Sequence, residues 1–485
     1  MSAINSIFNS SLRVRIPPSP TGQLHLGTAR TALYNLILAR KYGGKFIFRL
    51  EDTDRERSKG EYVDDIIAGF KWLGIDWDIG PLRQSEHIHR HKLVIEQLVS
   101  IGKAYECFCS AQELEEIRLS QRAQNKVEGY DNRHRHLTEV ERLEFREAGR
   151  KPVIRFRLPD LAQISWEDLV RGKMTVNTSD LGGDPVIAKE NGDVLYNFAV
   201  VVDDHDSAIN CVLRGEDHLH NTAKQIPVYE ALGWEVPHFG HVPLILTATR
   251  EKLSKRKHGD IASIAIYREQ GYLPEAIANY LVAMSWPYEG GEVFDLDKRV
   301  IAAFELSAVS KSPAIYDPQK LQWFCREHFK RLGAEEILRR AKPFLIDGGI
   351  ELESYTNAEW LKIITLVKDG LTKLSELSDQ VKIFTREPDY SCLSEDEYAL
   401  LQVHETLGIL EHCLDILPST PPNLVLGQLS EVTGLKKGKK LFQPIRLALT
   451  GVSHGPDLST TIEILGTERV AKRLTKALEF IKGIV

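Results

Sequence analysis

Apolar and basic residues alternate over residues 12–16, the period-two pattern of a strand, and the proline-rich stretch 17–22 ends it. Ala29, Ala32, Leu33, Leu36, Ile37 and Ala39 then recur at helical spacing, which predicts a helix over 28–42 stopped by Gly43-Gly44. A Phe- and Ile-rich run at 45–50 reads as a second strand. Strand, crossover helix and strand begin a parallel, doubly wound sheet. Amphipathic helices follow at 61–73 and 88–101. The texture then changes: 111–149 is charged and helical with a loop near 129–135, and 153–195 alternates like strands with glycine turns. Residues 105–190 therefore read as an insertion within the parallel domain. The apolar runs 196–202 and 207–213 are predicted as strands separated by Asp203-Asp204, with a helix at 223–232 and a strand at 242–246. From about Ser263 the pattern turns helical and stays so to the end, broken near residues 287–291, 313, 388 and 418–422. There is no internal repeat.

At 485 residues the chain has room for two to four domains, and 42% hydrophobic with 27% charged residues is an ordinary globular balance. No apolar run approaches the roughly 20 residues that span a bilayer. Residues 1–11 lack the basic and apolar regions of a secretory signal, and six cysteines make no disulfide framework, so a cytoplasmic protein is expected. A net charge of −6 gives no global argument for nucleic-acid binding. Basic clusters at 250–257, at 133–135 and at Lys436, Lys437, Lys439 and Lys440 could still carry a polyanion locally.

Two segments carry most of the chemistry. Pro17-Pro18-Ser19-Pro20-Thr21-Gly22 is a stiff turn leading to His25-Leu26-Gly27-Thr28 at a helix start, where free backbone N–H groups suit phosphate. Gly27 permits close approach of a ligand, and His25 can hydrogen-bond phosphate oxygens as charge builds. Lys252-Leu253-Ser254-Lys255-Arg256-Lys257 gathers cations around a serine without the spacing of a Walker loop. A loop of that kind closing over pyrophosphate would make the pair a nucleotidyl-transfer site.

In these residues the chain resembles the class I aminoacyl-tRNA synthetases. The 16–28 segment matches their signature. Leu50-Glu51-Asp52-Thr53-Asp54 and the 252–257 loop narrow the likeness to glutamyl-tRNA synthetase of the bacterial type, and it runs through Phe442-Gln443-Pro444-Ile445-Arg446 near the end. The resemblance implies a Rossmann-like catalytic domain in two halves (1–104 and 191–250) around an acceptor-stem-binding α+β insertion (105–190). A stem-contact region (251–330) and an all-helical anticodon-binding domain (331–485) would follow. It implies ATP with Mg2+, L-glutamate and the glutamate tRNA as substrates, and a monomer. His25, Lys255, Lys252 and Arg256 would stabilise the reacting phosphates. Pro18, Ser19, Gly27, Thr28 and Ser254 would complete the ATP site. Arg15, Ser19, Glu51, Tyr196 and Arg214 would form the glutamate pocket, in which a carboxylate suits the ammonium and arginine forks suit the carboxylates.

The resemblance also bears on a metal and on the anticodon. Some relatives bind zinc through three cysteines and a histidine; here Cys107, Cys109, His134 and His136 are the corresponding set, chemically allowed for zinc, and the expectation is an abandoned knuckle without metal. Gly370, Gln443 and Arg446 are expected near the anticodon. Members that charge only the glutamate tRNA carry an arginine where Gly370 stands, so charging of the glutamine tRNA as well is expected. The alternatives are an enzyme restricted to the glutamate tRNA, a glutaminyl-tRNA synthetase, whose anticodon domain is β-barrelled, and a non-catalytic tRNA-binding protein.

Overall fold

The computed structural model describes residues 11–54, 56–253 and 259–483. Two compact units emerge: the first runs to Arg268 and takes in Pro274–Pro318, and the second comprises Glu269–Leu273 with Gln319–Val485.

The first unit is built on parallel strands. Arg13–Ile16 pairs with Lys45–Leu50, which pairs with Ile79–Arg83. Cys211–Gly215 and His238–Val242 form a second parallel ladder. Asn210 joins the ladders, its side chain accepting the Arg13 N–H at 2.8 Å and its own N–H reaching the Arg13 carbonyl at 3.2 Å. Leu26–Tyr42 crosses from the first strand to the second, and Gly43, at φ 65°, ends it in the left-handed conformation that glycine adopts without strain. Helices Gly60–Trp72 and Ile88–Ser100 follow as the periodicity predicts.

Residues 196–202 depart from the expectation. They open a helix, Tyr196–Asp206, not a strand. Phe198, Ala199, Val200, Val201 and Val202 are all buried, so the helix shows no polar stripe. A helix enclosed on every side loses the 3.6-residue signature, and a short apolar run then reads equally as strand. The strand expected at 207–213 lies at Cys211–Gly215, after a turn in which Ala208 takes φ 52°. Leu219–Ala231 is the helix expected at 223–232.

Between the halves of the parallel sheet lies an α+β insertion. Ala104–Cys107, Val153–Phe156 and Val186–Ala188 make an antiparallel sheet, and Gln163–Asp168 pairs with Gly172–Asn177 as a hairpin. Its helices, Ala111–Ala123 and Glu139–Glu147, start at Ser110 and Thr138 with capping boxes. One short strand interrupts the helical stretch after Ser263: Ala314–Ile315 runs parallel to Ile245–Leu246.

The second unit is helical in its described residues, from Pro318–Arg331 at its border to Leu458–Ile481, which Gly466 breaks at φ 73°. No described helix is long and apolar enough to cross a membrane.

Candidate active site

His25 is the N-cap of the Leu26–Tyr42 helix. Its Nδ1 accepts the N–H groups of Gly27 at 3.1 Å and Thr28 at 3.4 Å, so the ring proton is on Nε2, 3.2 Å from the Thr28 hydroxyl. A Cβ on Gly27 would stand 3.0 Å from His25 Cε1, which gives the glycine a reason beyond ligand approach. The imidazole thus presents an N–H at an exposed helix start, where the dipole already favours anions.

Other loops converge on this turn. The Glu51 N–H donates to the Pro18 carbonyl at 3.1 Å, which ties the 50–54 segment to the proline turn carrying Ser19. His25 makes an antiparallel bridge with Ser263, whose hydroxyl donates to Gln23 at 3.0 Å. The chain that passes through the basic loop therefore returns to His25. At the loop's other end Lys252 bridges to Leu246, and its ammonium pairs with Asp217 at 2.7 Å. Ser254, Lys255 and Arg256 lie outside the described residues.

Beneath the turn is a buried charge cluster. Arg15 is fully buried on its strand, and its Nε donates to both Asp204 oxygens at 3.2 and 3.3 Å. Arg49, wholly buried between Phe48 and Leu50, donates from Nη2 to Asp204 at 2.7 Å. Asp203 holds His91 at 2.7 Å and Gln84 at 2.7 Å. Glu51 Oε1 is 3.9 Å from Arg49 Nη2, too far for a hydrogen bond. Burial pushes the Glu51 carboxyl up to about 7, against the pull of Arg49 and Arg15. For Arg49 burial is outweighed by Asp204, Asp203 and Glu51, so the guanidinium is held charged.

Arg214 is the penultimate residue of the strand Cys211–Gly215. Its Nη2 donates to Thr222 at 2.7 Å and Gln225 at 2.9 Å, and its Nε to His241 at 3.2 Å. Tyr196, half-buried at the start of its helix, shares a hydrogen bond with His218 Nδ1 at 3.3 Å. Burial, and then Arg214, push His218 down to about 4, so that ring stays neutral. Tyr196 is raised by burial first, and it also feels Glu51, Arg214 and Arg15. Tyr196, Glu51, Arg214 and Arg15 therefore share one electrostatic neighbourhood. Arg15 Nη1 and Nη2, Arg214 Nη1 and Glu51 Oε1 are buried without a hydrogen-bond partner among the described residues. Buried charged donors are costly to leave unpaired, so this is a place built for a ligand of complementary charge.

Sequence reasoning missed Arg49, Asp203, Asp204 and His218. An arginine inside an otherwise apolar strand was the available sign for Arg49, and two adjacent aspartates within an apolar stretch were the sign for the helix.

The structure brings Cys107, Cys109 and His134 together, with ligand atoms within 4.8 Å of one another, while His136 is outside the group and exposed. The trio fits three of the four positions of a closed structural zinc site. In the helical unit Gly370 ends a short helical turn, is exposed, and a Cβ there would meet nothing within 4 Å. Gln443 and Arg446 lie on the Lys439–Thr450 helix, where Arg446 donates to the Pro456 carbonyl at 2.7 Å. Lys436, Lys437, Lys439 and Lys440 are exposed beside them.

The profile described as "tRNA synthetases class I (E and Q), catalytic domain" matches residues 11–323, and that of an "Anticodon binding domain" matches 336–478. A glutamate–tRNA ligase of Synechococcus sp. (strain JA-3-3Ab) is 44% identical over 464 residues, covering 94% of this chain and 96% of the relative. One from Synechocystis sp. (strain ATCC 27184 / PCC 6803 / Kazusa) is 43% identical over 96% of this chain and 99% of its own. Among solved structures, a glutamate tRNA ligase from Elizabethkingia meningosepticum CCUG26117, in complex with its amino acid, superposes with a TM-score of 0.87 at 32% identity, covering 97% of this chain and all of that one.

Proposed function

The chain belongs to the class I aminoacyl-tRNA synthetases of the glutamate and glutamine branch, and from that premise we propose that it ligates L-glutamate to tRNA through a glutamyl-adenylate. One observation carries the choice of amino acid. Arg15 Nη1 and Nη2, Arg214 Nη1 and Glu51 Oε1, around Tyr196, are buried without a hydrogen-bond partner among the described residues. Glutamate offers what they require: two carboxylates for Arg15 and Arg214, and an ammonium for Glu51.

In the first step a glutamate carboxylate oxygen attacks the α-phosphorus of ATP, which enters as its Mg2+ complex. The new C–O–P anhydride forms as the bond to the β-phosphate breaks and pyrophosphate leaves. The His25 Nε2–H and the helix start behind it serve the phosphates, with the Lys252 ammonium as a supporting cation. In the second step a hydroxyl of the tRNA's terminal ribose attacks the acyl carbon and AMP departs. The insertion is read as the acceptor-stem binder, and the helical unit as the reader of splayed anticodon bases.

Exposed Gly370, with open space around it, supports a relaxed choice of tRNA: no side chain there can reject a base. We accordingly infer that both the glutamate and the glutamine tRNAs receive glutamate. The cysteine–histidine trio has no step in this chemistry; zinc held there would fasten the Cys107–Cys109 turn to the loop bearing His134. Aminoacylation with radiolabelled glutamate tests the reading. Both tRNAs should be charged, and charging of the glutamate tRNA alone would remove the relaxed specificity while leaving the ligase.

A further inference from the structure

Arg214 is held by a chain of buried groups that begins in the insertion. Asp168, at the end of the Gln163–Asp168 strand, is 4% exposed. Its Oδ1 accepts three backbone N–H groups, from Val170 at 3.1 Å, Arg171 at 3.0 Å and His241 at 3.1 Å. Its Oδ2 accepts from Trp166 Nε1 at 3.3 Å and from His241 Nδ1 at 2.5 Å. A carboxylate can only accept, so Nδ1 carries the ring proton and His241 Nε2 keeps its lone pair. That lone pair takes the Arg214 Nε–H at 3.2 Å and lies 3.1 Å from the Thr222 hydroxyl. Burial pushes the His241 ring down, against Asp168, which agrees with a neutral imidazole. With Nε and Nη2 spoken for, Arg214 Nη1 is the edge left unpartnered among the described residues.

We propose that Asp168 and His241 are positioning residues for the amino acid. Asp168 fixes the His241 tautomer, and the His241 lone pair fixes the rotation of the Arg214 guanidinium, so that Nη1 meets a substrate carboxylate. The inference rests on Arg214 as a substrate arginine. It makes the insertion a contributor to the amino-acid site as well as a surface for RNA.

Asp168→Asn tests it with little change in shape. The Oδ1 place is surrounded by three N–H donors and must remain an oxygen, so the amide nitrogen takes the Oδ2 place and donates to His241 Nδ1. The ring proton then moves to Nε2 and opposes the Arg214 Nε–H. In glutamate-dependent ATP–pyrophosphate exchange with tRNA present, the KM for glutamate should rise roughly tenfold or more while the KM for ATP stays within about twofold. In an Arg214→Lys background, which has no Nε–H to lose, Asp168→Asn should add less than about twofold. As a second pair, His241→Gln keeps an acceptor for Arg214 and His241→Leu does not, so Leu should raise the glutamate KM more. Equal rises in both KM values, full additivity with Arg214→Lys, or the reverse order for Gln and Leu would overturn the relay. An active wild type with an unchanged glutamate KM in Asp168→Asn would overturn the relay alone. A wild type without glutamate-dependent exchange would overturn the function reading as well.

Discussion

Arg15 in the first unit and Arg473 in the second are 0% and 3% exposed, yet their guanidiniums end differently. Arg473 Nη1 donates to the carbonyls of Ile383 and Leu449 at 2.6 and 2.7 Å, and Nη2 to those of Phe384 and Arg386 at 3.1 and 2.7 Å. These are carbonyls at or near the ends of the Leu377–Thr385 and Lys439–Thr450 helices, groups that lack partners within a helix. That arginine is a structural clasp with both Nη atoms bonded. Arg15 is anchored by Nε alone, and both its Nη atoms lack partners among the described residues. Burial alone therefore does not separate the two arginines. They differ in whether the Nη donors are already taken.

That contrast can be broken by substitution. Arg15→Ala should lower kcat/KM for glutamate by roughly a hundred- to a thousandfold, the size of two or so lost charged hydrogen bonds. Arg473→Ala should do the opposite: it strands three carbonyls, those of Ile383, Leu449 and Arg386, while the Phe384 carbonyl keeps the Tyr355 hydroxyl; the loss should cost about 3–5 kcal/mol and lower the melting temperature by roughly 10 °C. Its glutamate KM at low temperature should barely change. Calorimetry and exchange kinetics on the two variants decide the matter, and a pair that fails in the same way would erase the distinction.

Glu51 sharpens the picture through pH. Its carboxyl, lifted to about 7 by burial, must be ionised to hold an ammonium. The sign follows: kcat/KM for glutamate is flat above about 7 and falls toward roughly tenfold per unit below it. Glu51→Gln should lower the plateau and abolish that limb. A smaller effect is expected of Gly27→Ala, whose Cβ would press on the His25 ring; kcat should drop roughly tenfold with the glutamate KM little changed. Least disruptive is Gly370→Arg, which has room for its side chain and should reduce charging of the glutamine tRNA by roughly tenfold, the glutamate tRNA remaining a substrate.

The parallel strands and the first crossover helix were legible because each has one clear period and a glycine or proline stop. The Tyr196–Asp206 helix was not, because enclosure removed its polar face. Motif positions such as His25 and Glu51 could be named from the sequence, since they flank turns that local chemistry marks. The groups that hold the pocket could not: Arg15 meets Asp204 and Arg49 meets Asp203 across more than 150 positions. The cysteine–histidine set shows the same limit. Spacing grouped four residues, and the fold gathers three.

The most direct measurement is ATP–pyrophosphate exchange with glutamate, glutamine or aspartate, each with the glutamate tRNA present. The unpartnered Arg15, Arg214 and Glu51 atoms predict exchange driven by glutamate, with glutamine and aspartate at background. Exchange driven by glutamine as strongly as by glutamate would contradict the account.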